Sequence, residues 1–126
     1  MRVWVEFDPK DGVWTLFHEE CEIDSPEAVE KWRSQLVTEF KIRTKKKIPL
    51  LIDMKGLSID PSIAKEYGEM AQALAREYTS EVVRYGRPVG FTLSTIRVQS
   101  LIQGHAANVH PDRRSALEAM AKLRAK

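Results

Sequence analysis

Two short runs near the start of the chain alternate apolar and polar positions. Val3, Val5 and Phe7 recur at every second residue from Arg2 to Phe7, and a similar run from Val13 to Phe17 follows the turn-rich Asp8-Pro9-Lys10-Asp11-Gly12. Period-two runs joined by a proline and glycine turn predict an antiparallel hairpin. Strand character extends in short form through Cys21 and Ile23. Ser25-Pro26-Glu27 then offers a capping hydroxyl, a proline at the first helical position and a first-turn carboxylate. Val29, Trp32, Leu36 and Phe40 fall on one stripe, so a helix is predicted over 26–43. Residues 48–54 are apolar apart from Asp53, as expected of a strand covered on both faces.

A second helix is predicted from Pro61 to Tyr78, with Ile63, Ala64, Tyr67, Met70, Ala71, Leu74 and Tyr78 on its apolar face. Beyond it the pattern weakens. Val82 to Arg84 and Pro88 to Leu93 read as strand segments interrupted by Gly86 and Pro88. Ser94 caps a third predicted helix whose inner face is Val98, Leu101, Ile102 and His105. A short strand around Ala107 to His110 leads through Pro111-Asp112 into a last helix, with Ala116, Leu117, Met120 and Leu123 facing inward. Strands alternating with helices after an opening hairpin predict an α/β fold. It is expected as a single layered domain over 1–126, with a mixed sheet of four to five strands and about four helices.

Composition narrows the class. At 126 residues, 43% of them hydrophobic and 30% charged, the chain suits one globular core, and no apolar run approaches the roughly 20 residues needed to span a bilayer. The amino terminus lacks a long apolar segment with a small-residue cleavage site. The lone Cys21 cannot form an internal disulfide. A cytoplasmic, bacterial protein is the expectation. A net charge of +2 does not announce a nucleic-acid partner, and none is expected. The charges are nevertheless segregated: Glu19, Glu20, Glu22, Asp24, Glu27 and Glu30 have no cation among them, and Lys41, Arg43, Lys45, Lys46 and Lys47 have no anion. Complementing a helix macrodipole is the favoured reading, with a solvated Lys-rich turn after it; an anionic partner or surface is the alternative.

The strongest candidate for chemistry is the strand, turn and helix start from Ile48 to Gly68. Asp60 is positioned as N-cap and Pro61 needs no backbone donor, which sets the Ser62 hydroxyl in the first turn among N–H groups that would favour a phosphate. Catalysis has no such support. His18, His105 and His110 are scattered, and no spacing pairs a nucleophile with a base and an orienting group. His18 with Cys21 does not make a zinc site, and Gly86 and Gly90 lack the spacing and lysine of a phosphate loop. Trp4, Trp14 and Trp32 read as packing residues. No enzyme activity, metal or cofactor is expected.

The element order and the segment Leu51-Ile52-Asp53-Met54-Lys55-Gly56-Leu57-Ser58-Ile59-Asp60-Pro61-Ser62 resemble the STAS domain family, named for sulphate transporters and anti-sigma factor antagonists. Asp53 matches the family's Asp at the strand end, Leu57 and Ile59 its apolar steps, and Asp60 with Ser62 its helix-opening Asp and second hydroxyl. Asn108 to Leu117 resembles the short last strand and terminal helix of STAS-like and SEC14-like bacterial domains. The chain departs from the pattern in a connection one residue shorter, in Pro61 for the first Ser and in Ile63 for the Gly. The resemblance implies a non-enzymatic regulatory domain that binds another protein, such as a kinase-like anti-sigma factor, through Lys55, Gly56, Leu57, Ser58, Asp60 and Ser62. It also implies Ser62 as the phosphorylation position. Its alternative implication is a small-ligand or lipid-binding SEC14-like domain using the space between helices and sheet.

Overall fold

A computed structural model describes residues 1–86 and 109–125. The opening hairpin is β1 (Arg2–Asp8) and β2 (Val13–Glu19), paired antiparallel from Arg2 opposite Glu19 to Asp8 opposite Val13. Strand β3 (Cys21–Ile23) and helix α1 (Pro26–Arg43) follow. The Ser25 hydroxyl accepts from Ala28 N–H as the sequence predicts of an N-cap, and Val29, Trp32, Leu36 and Phe40 are all buried. Then come β4 (Ile48–Asp53) and β5 (Leu57–Ile59), a 3₁₀ turn at Pro61–Ile63, α2 (Ala64–Tyr78) and β6 (Thr79–Tyr85). The described chain closes with β7 (Val109–His110) and α3 (Arg113–Arg124), capped by Asp112.

The main sheet has the order β1-β2-β4-β6-β7, with only β1 antiparallel, and β3 pairs β5 in a separate parallel ribbon. The expected mixed sheet beginning with a hairpin is therefore present, with β4 at its centre. Successive β4 residues serve opposite faces. Ile48, Leu50 and Ile52 join the core under α1 and α2, while Leu51 joins Val13, Val83 and Tyr85 under Ala116 and Met120 of α3. A strand sandwiched in this way must be apolar on both sides, which is why its sequence shows no alternation.

Three expectations are revised. Residues 57–59, which the sequence places in the turn between strand and helix, are a strand, because a one-turn reversal after β4 lets Leu57 and Ile59 lie beside Cys21 and Ile23. The α-helix expected from Pro61 starts at Ala64, after the 3₁₀ turn. The strand read at Val82 to Arg84 occupies Thr79–Tyr85, following α2 without a loop. The predicted strand at Pro88 to Leu93 and the helix after Ser94, with His105, lie outside the described residues, as do Ala107 and Asn108. Three α-helices stand among the described residues.

Among the described elements, α1 and α2 run against the parallel strands they connect, and α3 returns against β7 toward the β1–β2 turn. Helix starts and the ends of the parallel strands therefore share one edge of the molecule, here called the upper edge. Helix ends, the starts of the parallel strands, the end of β1 and the β1–β2 turn share the lower edge. Arg124, at the end of α3, donates to the Gly12 carbonyl in that turn at 3.4 Å.

Candidate functional site

The candidate loop sits on the upper edge, built on the end of β4. Met54 to Leu57 form a four-residue turn closed by Leu57 N–H donating to Met54 O at 3.2 Å. Gly56 occupies its third position at φ +81°, where a type II turn takes glycine. Space reinforces the requirement, since a Cβ at Gly56 would meet the His18 carbonyl oxygen at 2.5 Å. The Asp53 carboxylate accepts from Lys55 N–H at 2.9 Å, and Gly56 O accepts from Cys21 N–H at 2.8 Å. Asp60 N–H donates to Ile23 O at 2.9 Å, so both ends of the β5 ribbon are tied to β3.

Beyond the ribbon, one Asp60 carboxylate oxygen accepts from both Ser62 N–H at 2.9 Å and the Ser62 hydroxyl at 2.7 Å. These bonds, the backbone one first, hold the Asp60 carboxyl below its ordinary range. Ile63 N–H donates to Asp60 O and Ala64 N–H to Pro61 O. The expected group of unpaired N–H donors around Ser62 is thus corrected. The 3₁₀ turn engages the N–H groups of residues 62, 63 and 64, and what faces the Ser62 oxygen is a carboxylate.

The predicted site residues divide by exposure. Lys55, Asp60 and Ser62 are exposed, and Gly56 and Ser58 are half-buried. Leu57 is wholly buried in the core and offers no surface to a partner, because the β3–β5 pairing turns it inward. The ribbon thus separates Lys55 and Gly56 from Asp60 and Ser62 along the chain.

Beneath the turn lies an aromatic stack that spacing did not single out. The His18 ring is parallel to Trp32, with centroids 6.0 Å apart, and Trp32 meets Tyr67 edge-on at 5.4 Å. His18 Nδ1 lies 3.0 Å from the Asp53 carbonyl oxygen. A carbonyl can only accept, so the neutral ring carries its proton on Nδ1. Among the described residues Nε2 has no hydrogen-bond partner, and neither does the Trp32 indole N–H. Burial pushes the His18 pKa down to about 4, against the smaller opposing pull of Asp53. Burial likewise pushes Tyr67 up to about 12. Strand parity was the available signal: His18 shares a face with Leu16, which packs under α1 and α2.

Adjoining this stack is a cavity of about 30 Å³ between α1, α2 and the sheet, with Leu16, Trp32, Tyr67, Leu74, Val82 and Arg84 in its wall. On the opposite face, the Arg113 guanidinium donates to Thr15 Oγ1 at 2.8 Å, to the Tyr85 hydroxyl at 3.2 Å and to the Asp8 carboxylate at 3.1 Å. The Tyr85 hydroxyl in turn donates to Asp53 at 3.4 Å. This network ties the start of α3 to three strands and to the end of β4. No sequence signal marked it, because its members are spread over 105 residues.

Fold and loop together define a small α/β domain of STAS-like architecture, with an Asp-capped serine opening a helix beside the end of the central strand. Among solved structures, the chain is similar to one described as the overall structure of SLC26A9. That likeness has a TM-score of 0.58 at 12% identity and covers 98% of this chain, which spans 24% of the other. It is a likeness of fold. No family model matches the sequence, and no curated protein sequence matches it. Among the described residues no helix is long and apolar enough to cross a membrane.

Proposed function

We propose that this chain is a cytoplasmic, non-enzymatic interaction domain that binds another protein through the upper edge around Lys55, Asp60 and Ser62. Phosphorylation of Ser62 releases the partner. The observation that carries this reading is the Ser62 hydroxyl, exposed at the start of α2 and donating to Asp60. A kinase-like anti-sigma factor is the class of partner that the STAS resemblance suggests. Phosphoryl transfer would form a bond from Ser62 Oγ to the γ-phosphorus of a nucleoside triphosphate, with loss of the hydroxyl proton and departure of the diphosphate. The product has no hydroxyl to donate to Asp60 and carries roughly −1.5 to −2 charges beside that carboxylate. Repulsion loosens the 3₁₀ turn, and a partner seated there must desolvate the new charge. Both effects weaken binding while the buried sheet is untouched.

The cavity supports this reading over the small-ligand alternative. Its volume of about 30 Å³ admits a water-sized group, whereas cavities that take up benzene are roughly 150 Å³. Affinity capture with the tagged chain, followed by native mass spectrometry, tests the choice. A retained protein whose hydrogen-exchange footprint covers residues 55–62 is expected. A retained lipid or small molecule without a protein would overturn the reading.

A further inference from the structure

Among the described residues, two large hydrophobic side chains stand exposed, and both lie toward the lower edge. Ile42 is 72% exposed in the last turn of α1, and Phe7 is 50% exposed near the end of β1. The packing of α1 on β1 brings these ends together. Gln35 Oε1 accepts from Val3 N–H and Glu39 Oε1 from Val5 N–H, so one helical turn advances with two strand residues and the turn holding Ile42 comes level with Phe7.

Cations surround Ile42. Lys41, Lys45, Lys46 and Lys47 are exposed and have no ion-pair partner among the described residues. Arg43 is paired with Glu39, 3.2 Å away, and Glu39 is also held by β1. Nearby anions balance this set only in part: Asp8 is bound to Arg113, and among the described residues the exposed carboxylates nearest it are Glu6 beside Phe7, Asp11 in the hairpin turn and Glu77 at the end of α2. A single exposed isoleucine needs no explanation. An isoleucine and an aromatic ring beside lysines outside any ion pair form the combination used at lipid interfaces, where cations gather at anionic headgroups and apolar side chains enter the acyl boundary.

We propose that the lower edge docks on the surface of an anionic lipid bilayer, with Lys41, Lys45, Lys46 and Lys47 at the headgroups and Ile42 and Phe7 inserted between them. A nucleic acid would use the lysines and leave the aliphatic Ile42 in water, which is why the bilayer is the better match. Docking in this orientation turns the Asp60–Ser62 edge away from the membrane. The proposal rests on a separate surface and stands independently of the partner proposed for that edge.

Flotation of the full chain with phosphatidylcholine vesicles, with and without phosphatidylserine, tests it. Binding is expected only when phosphatidylserine is present, and it should weaken as salt rises. Replacing Lys45, Lys46 and Lys47 together by Gln should lower partitioning on the order of a hundredfold, each cation near the surface contributing about fivefold. Ile42→Ala should lower it by about tenfold at low and high salt alike, since the lost term is apolar. All four positions are exposed, so unchanged thermal melts confirm intact folds. Failure of the wild type to float with phosphatidylserine at low salt would overturn the proposal. So would equal flotation of the triple variant, or Lys-dependent binding to duplex DNA with no vesicle binding.

Discussion

His18 shows how one side chain can link the core to the candidate loop. Its proton sits on Nδ1 toward the Asp53 carbonyl, its other nitrogen is buried with no hydrogen-bond partner among the described residues, and its backbone carbonyl is the surface against which Gly56 turns. Protonation would put a charged donor where no described residue accepts it. The folded state therefore holds His18 neutral down to about pH 4, whereas the unfolded chain takes up the proton near 6.5. Unfolding binds a proton within that window, so stability should be full above pH 6.5 and fall as pH drops toward 4, by about 3 kcal/mol in all. Urea denaturation across this range checks the slope, and His18→Asn, which keeps a donor toward Asp53, should flatten it. The carboxyls of Asp60 and Asp112, both held below 3.8, lose their contribution at lower pH and leave the window clear. At Gly56 the expected effect is steric. Gly56→Ala should cost about 1–3 kcal/mol from its positive φ alone, and more from the 2.5 Å approach to His18 O, measured as a lower urea midpoint.

At the scale of elements, β4 carries the architecture. It lies between β2 and β6 and divides its side chains between two cores, so Ile52→Ala should destabilise by roughly 2–5 kcal/mol through lost transfer energy and a residual cavity. Equilibrium unfolding measures this, and a value near zero would mean that the strand is not packed as described. The elements most legible in the sequence were those whose pattern is local. The hairpin alternation, the Ser25-Pro26 cap, the stripe Val29-Trp32-Leu36-Phe40 and the unbroken apolar run of β4 each report their own burial. What spacing could not reveal depends on long-range pairing. Leu57 reads as loop because its partner, Cys21, is remote in sequence. Asp60 and Ser62 were legible as a cap, but the direction of the Ser62 hydroxyl was set by how tightly the 3₁₀ turn brings it back to the carboxylate. The Arg113 network left no trace, since Asp8, Thr15, Tyr85 and Arg113 meet only once the sheet has formed.

At the scale of the molecule, the parallel arrangement of the described elements brings helix ends to one edge and helix starts to the other. Each described helix carries cations in its last turn: Lys41 and Arg43 in α1, Arg76 in α2, Lys122 and Arg124 in α3. Because those ends share the lower edge, complementing the macrodipoles of the three described helices places cations there, while Glu27, Glu66, Asp60 and Asp112 lie above together with Lys55, Lys65, Arg113 and Arg114. A phosphate at Ser62 would deepen an edge that already carries carboxylates, so its effect on a partner should be electrostatic rather than a change of fold. Isothermal titration of a captured protein partner against wild type, Ser62→Ala and Ser62→Asp tests this most directly. The alanine variant should bind as wild type does, since it adds no charge, and the aspartate variant should bind on the order of tenfold or more weakly with an unchanged far-UV spectrum. Equal affinities for all three folded forms would contradict the account and leave Ser62 as an ordinary capped residue.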